Sequence, residues 1–218
     1  MKTTRILMSI CLAVGAVRAE VWIMPMPLTP SAGQRVMLRL EAGEGETQGN
    51  FQHVWKRGRR NLHAADLGFD TRGDGVHLVT FESPPAADAR GHHVQRFAKA
   101  LVVVGAPPAG SPLRWSEVGQ RLEIVPQTDP VALLRGESRL EVQVLYDREP
   151  LAGARVEAVP PGGAGEVRAA RTDEIGVAAV LLDRAGHWRV RVAYRGRCDT
   201  CEPPVMELLT STLVLAVR

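Results

Sequence analysis

The sequence predicts an all-β protein built from two linked β-sandwich domains behind a cleaved signal peptide. Three observations carry that prediction. Apolar and polar residues alternate with period two in both halves of the chain, the pattern of strands with one face on a core. Three prolines and two glycines lie between Gly105 and Pro112 and separate the two series. At the start, Lys2 and Arg5 precede an apolar run from Ile6 to Val17.

That first run decides the compartment. Small residues at Val17 and Ala19 mark a cleavage point before Glu20, so residues 1–19 read as a secretory signal peptide and the mature chain starts at Glu20. A retained anchor would need roughly 20 apolar residues to span a bilayer. Lipoprotein processing at Cys11 is disfavoured by Ile10, which stands where a small residue is needed. The expected location is the periplasm.

Removing the signal also changes the electrostatics. The whole chain carries 27 basic and 24 acidic side chains, a net charge of +3. Lys2, Arg5 and Arg18 lie in the signal, which holds no acid, so the mature chain is balanced. A neutral chain has no global field to draw it onto nucleic acid or anionic lipid. Neither a nucleic-acid partner nor stable membrane insertion is expected. The cluster Lys56-Arg57-Gly58-Arg59-Arg60 reads as a solvated turn.

The strands follow in order. Val21 to Met24 opens the first series; Val36, Leu38 and Leu40 then alternate with Arg35, Met37 and Arg39. Asn50 to Lys56 is a further candidate, and His77, Val79 and Phe81 alternate with Val76, Leu78 and Thr80. The run His93 to Val104 reads as a strand, although Phe97-Ala98-Lys99-Ala100-Leu101 alone suits a helix equally well. Gly105 to Pro112 stops helices and central strands alike, which places the domains at 20–108 and 112–218. The second series comprises Leu122 and Ile124; Leu140, Val142, Val144 and Tyr146; Val156 and Ala158; Trp188, Val190, Val192 and Tyr194; and Leu209 to Val217. In Thr172-Asp173-Glu174-Ile175-Gly176, Asp173 can accept from nearby amides and Gly176 permits a positive φ, so this segment turns the chain between strands.

Residues Gln143 to Val192 resemble the transthyretin-like or carboxypeptidase-regulatory-like sandwich, through Pro150-Leu151-Ala152-Gly153-Ala154-Arg155-Val156 and the Thr172 to Gly176 turn. A wider resemblance spans nearly the whole mature chain. Its motifs are Trp22-Ile23-Met24-Pro25, Arg96-Phe97-Ala98-Lys99-Ala100-Leu101 and the stretch from Val118 to Pro130, together with Leu145 to Val156. In these the chain is similar to a bacterial periplasmic family, domain of unknown function 4198, often described as a periplasmic component of cobalt or nickel uptake. The resemblances imply immunoglobulin-like or transthyretin-like sandwiches, metal handling, and a membrane metal transporter as partner. Family members commonly place a histidine just before the Trp motif, where it could chelate metal with the terminal amine. This chain has Glu20-Val21 there, and Glu20 cannot reproduce that chelate.

Several side chains carry donors suited to a transition metal. His92 and His93 are the most concentrated imidazoles, and a site for nickel, cobalt or copper could combine one of them with His53 or His77. Neighbouring residues on a strand point to opposite faces, so His92 and His93 would not chelate together; the alternative is that both are solvent-facing turn residues. His187 alternates outward from Trp188 and reads as a surface residue. Met24 and Met26 offer thioethers that favour copper(I) beside a histidine, with packing as the alternative. After cleavage only Cys198 and Cys201 remain. In an oxidising compartment they read first as a structural disulfide, then as a metal pair, then as a redox couple, because Glu202-Pro203-Pro204 favours a loop.

No hydrolase elbow, zinc-protease motif or phosphate loop is present, and Asp70, Asp74, Asp129 and Asp147 all sit in turn-like settings. No catalytic residue is assigned and no enzymatic activity is expected. The leading expectation is a periplasmic accessory protein in nickel or cobalt uptake or handling, with His92, His93 and His53 as metal ligands. The rival is a non-catalytic envelope module that contacts protein or glycan without metal.

Overall fold

The computed structural model describes residues 20–42, 48–55, 58–63, 66–108, 116–163, 165–198, 201 and 204–218. The expected signal peptide with Cys11, Lys56 and Arg57 of the basic cluster, Trp115, and the end of the Gly105 to Pro112 segment lie outside the described residues. In chain order the first strands are β1 (Val21–Met26), β2 (Arg35–Ala42), β3 (Asn50–Trp55), β4 (Gly58–Leu62), β5 (Gly68–Asp70), β6 (Gly75–Glu82), β7 (Ala86–Ala87) and β8 (His93–Val104). After β9 (Leu122–Pro126) comes a single turn of helix, α1 (Pro130–Leu133), whose N-terminus is capped by Asp129 accepting from the Val131 amide at 2.9 Å. The remainder is β10 (Arg139–Tyr146), β11 (Glu149–Pro150), β12 (Arg155–Val159), β13 (Arg168–Arg171), β14 (Val177–Leu181), β15 (Gly186–Cys198) and β16 (Val205–Val217).

These strands form three layers. A long central sheet runs β13-β12-β15-β16-β8-β6-β3-β4, with β7 beside β8. One face is covered by the three-stranded sheet β1-β2-β5, and the other by β11-β10-β14 with β9 paired to β10. Alternation along the central strands feeds two cores. On β8, Phe97, Leu101 and Val103 join one core with Leu122, Leu140 and Trp188. Ala98, Ala100, Val102 and Val104 join the other with Ile23, Val36 and Phe69. Buried on both faces, β8 shows no polar side in its second half, and β6 is buried along six consecutive residues rather than half-buried.

The expected division at 108 and 112 falls between β8 and β9, and the central sheet bridges it. Strand β16 lies parallel to β8 in register from Glu207 opposite His93 to Val214 opposite Ala100. Strand β15 delivers β16 to that place through a long antiparallel hairpin, from Gly186 opposite Val217 to Cys198 opposite Val205. The two halves are therefore hydrogen-bonded to each other and not merely tethered. The prolines and glycines after Val104 end a strand; they do not end the sheet, because a β8 edge with two apolar faces needs a partner strand.

The Thr172 to Gly176 turn follows the local chemistry read from its residues. Asp173 accepts from the Ile175 and Val177 amides at 3.1 and 2.8 Å, and Gly176 has φ +74°. A Cβ at Gly176 would lie 2.7 Å from the Val144 carbonyl oxygen, so the close approach of β10 also requires glycine.

Candidate functional site

The three histidines proposed as ligands do not converge. His53 pairs in register with Val79, and Val79 with Ala100, seven residues along β8 from His93. At about 3.3 Å per residue the separation is roughly 23 Å. His53 instead belongs to β3, its Nε2 2.8 Å from Nδ1 of His77 on the neighbouring β6. It stacks on Phe69 at 4.0 Å, and His77 stacks on Trp55 at 5.0 Å. Burial, with His77 and Arg60 nearby, lowers the His53 pKa to about 4, so the ring is neutral at physiological pH. His92 belongs to the turn before β8, where its amide and its Nδ1 both reach the Asp88 carboxylate at 2.9 Å.

His93 faces a different environment from its neighbour. At the start of β8 it lies opposite Glu207, and its Nδ1 is 3.8 Å from Sγ of Cys201 and 3.9 Å from Oε2 of Glu207. Cys198, the last residue of β15, is disulfide-bonded to Cys201 in the hairpin connection. Glu207 is fully buried. Tyr146 donates to its Oε1, and Arg121 Nη1 lies 3.0 Å from Oε2 but is not aligned to donate a hydrogen bond, so that oxygen is held by charge alone. Burial, and the hydrogen bond to Glu207, push the Tyr146 pKa up. Arg121 is anchored from below by both oxygens of Asp147, at 3.0 and 3.2 Å.

A second constellation lies between β1 and β15. Trp22 and Met24 occupy alternate positions on β1, as His187 and Arg189 do on β15, and all four line a pocket of about 320 Å³ with Glu41, Val159 and Pro160. Nδ1 of His187 is 3.2 Å from Sδ of Met24, and the Arg189 guanidinium sits 4.0 Å above the Trp22 ring. His187 is exposed, as expected, and stands at the rim of the pocket, where partial desolvation of its ring lowers its pKa. Glu20, where the resembling family commonly has its histidine nearby, pairs with Arg191 at 2.7 Å and approaches Arg189 at 3.9 Å.

Two of the motifs behind the family resemblance meet inside the fold. Lys99 of β8 and Glu123 of β9 form a fully buried ion pair. Lys99 also donates to the carbonyls of Ser116 at 2.6 Å and Ile124 at 3.2 Å. Glu123 accepts from the amides of Val118, Gly119 and Gln120 at 2.6, 2.9 and 3.1 Å. Burial lowers the Lys99 pKa, and the Glu123 charge opposes that shift.

A family model for a domain of unknown function, DUF4198, matches residues 20–196. The chain belongs to that family. The DUF4198 match takes in Met24, Lys99, Glu123 and His187, whereas Cys198, Cys201 and Glu207 lie beyond its end. No match was found among curated protein sequences. Among solved structures, the D0-D1 domain of intimin aligns at 11% identity and a TM-score of 0.24, covering 91% of this chain and 98% of that one. The D00-D0 domain of intimin aligns at 12% identity and 0.21, covering 90% and 99%. Superpositions this loose say nothing of a shared function.

Glu207, Arg121 and Tyr146 escaped the reading of the sequence, as did the Lys99 and Glu123 pair. One signal for them was present. Lys99 and Glu207 are charged residues inside long apolar strands, where an unpaired charge would be too costly to bury. Their partners, far away in sequence, carry no such mark.

Proposed function

We propose that this DUF4198 protein is an exported, non-catalytic module of the cell envelope that holds a transition-metal ion in the Met24 and His187 pocket and serves a membrane metal transporter. The observation that carries the reading is the 3.2 Å approach of the His187 Nδ1 to the Met24 Sδ on the wall of a pocket of about 320 Å³. Burial favours the neutral ring, the form that ligates metal. In the Nε2–H tautomer the Nδ1 lone pair and the thioether sulfur are both available to one ion. A thioether beside an imidazole selects copper(I) over the harder nickel(II) and cobalt(II) that the family resemblance suggests.

Competition of the purified mature protein against a chromogenic copper(I) chelator tests this, with nickel(II) and cobalt(II) titrated in parallel. One copper(I) per chain is expected, and both Met24→Ala and His187→Ala should weaken it by more than about ten-fold, the effect of losing one good ligand. Absence of binding at micromolar copper(I), or unchanged affinity in both variants, would reject the site. Tighter nickel than copper binding would return the assignment to nickel uptake.

A further inference from the structure

We propose that the Cys198–Cys201 disulfide is a latch on a second metal site, one that takes a zinc-type divalent cation only after the disulfide has been reduced. The juxtaposition is specific. His93 Nδ1 and the sulfurs of Cys198 and Cys201 all lie within 4.8 Å of one another, although they come from two strands and a connection. Parallel pairing of β8 with β16 sets His93 opposite Glu207, and the β15 to β16 hairpin closes two residues further along at Cys198 opposite Val205. In the disulfide form the thiolates that would bind metal are occupied by each other.

Reduction changes the donors without requiring the sheet to move. Two thiolates on a tetrahedral ion with bonds of about 2.3 Å stand about 3.8 Å apart. The sulfurs have to separate only to that distance. The His93 Nδ1 is already 3.8 Å from Cys201 Sγ, near the nitrogen-to-sulfur spacing of such a site. Three donors make up the group, which leaves the fourth position to water or a further ligand; Glu207 Oε2 lies beside His93 Nδ1, at 3.9 Å, as its neighbour. Charge balances as well. Two thiolates offset a divalent ion by themselves, whereas Glu207 shares the guanidinium of Arg121 with Asp147.

The chemistry requires a dithiol reductant. One thiolate of that dithiol attacks Sγ of Cys201, which is partly exposed, whereas Cys198 is fully buried. The sulfur–sulfur bond breaks, Cys198 leaves as a thiolate, and a mixed disulfide forms at Cys201. The second thiol of the reductant then displaces Cys201, so the dithiol is oxidised to its own disulfide as the protein gains two electrons and two protons. Binding of the cation releases those two protons.

The site stands apart from the Met24 and His187 pocket, and cobalt(II) distinguishes the two. Protein reduced with dithiothreitol and desalted without oxygen is titrated with cobalt(II) chloride, alongside protein left in the disulfide form. Expected for the reduced form are one cobalt per chain, thiolate-to-cobalt charge-transfer absorption in the near ultraviolet, and displacement by zinc(II); the disulfide form should show none of these. His93→Ala, or His93→Gln if that variant folds better, should weaken binding by more than about ten-fold. A Met24→Ala, His187→Ala double variant should keep the cobalt spectrum even if it has lost copper(I). The latch is overturned if reduced protein binds no cobalt, if the disulfide form binds equally well, or if both His93 variants retain full affinity. Loss of near-ultraviolet circular dichroism on reduction alone would overturn it too, because the latch needs a sheet that survives opening.

Discussion

Glu123 and Glu207 are both carboxylates at zero solvent exposure, and the fold treats them differently. Each oxygen of Glu123 takes two donors, from Lys99 and three successive amides, so nothing about it is left to adapt. Glu207 has one firm hydrogen bond, from Tyr146, and an oxygen held only by the nearby Arg121 charge, beside an imidazole and a disulfide. A buried charge that is fully satisfied clamps elements together. One held by a single aligned hydrogen bond and an ion pair is fixed less completely. The first carboxylate joins β8 to β9 across the chain's proline-rich crossing; the second lies where a strand pair and a hairpin end meet.

The largest expected effect lies at the clamp. Lys99→Met leaves the Glu123 charge without its cation and should cost about 3–5 kcal/mol in urea denaturation. Adding Glu123→Leu should recover only part of that loss, because the Val118, Gly119 and Gln120 amides lose their acceptor. A cost below about 1 kcal/mol for Lys99→Met, the range of an exposed pair, would remove the basis for calling this a clamp. At the other carboxylate, Tyr146→Phe removes one donor to a buried charge while Arg121 stays, and a smaller loss of about 1.5–3 kcal/mol follows. Equal losses at the two sites would erase the contrast drawn between them.

A further effect is one of pH, and it separates carboxylates from histidines. His53 titrates near 6.5 when unfolded and at about 4 in the fold, so between these values the unfolded chain binds the extra proton. Its contribution to stability is complete above pH 6.5, falls as the pH drops towards 4, and levels off below. Thermal unfolding followed from pH 7 to pH 4 should show that loss, and His53→Gln should flatten it. If the slope survives the substitution unchanged, a group other than His53 is responsible.

Much of the fold could be read from residue order, and the parts that could not have a common cause. Val36, Leu38 and Leu40 alternate with polar neighbours because β2 lies in an outer sheet with one face to solvent. The stretch Phe97 to Leu101 looked equally helical because β8 lies in the middle layer, where both faces are apolar and period two disappears. The same covering accounts for the pairing of β16 with β8, which joins the two halves in one central sheet. Site geometry was less legible. His53, His92 and His93 share a chemistry but not a place, and the histidine that meets a methionine is His187, 163 residues from Met24.

By itself, the sequence determined the all-β class, membership of the DUF4198 family through its spaced motifs, and the Asp173 and Gly176 turn. These depend on periodicity or on residues a few positions apart, where local backbone chemistry is sufficient. Tertiary structure alone decided that β16 would lie beside β8, that Lys99 would find Glu123, and that His93 would stand over the cysteine pair with Glu207. Each of those contacts joins segments separated by tens of residues or more. Their meeting is set by which apolar faces the three layers must cover, and no short window of sequence contains that information.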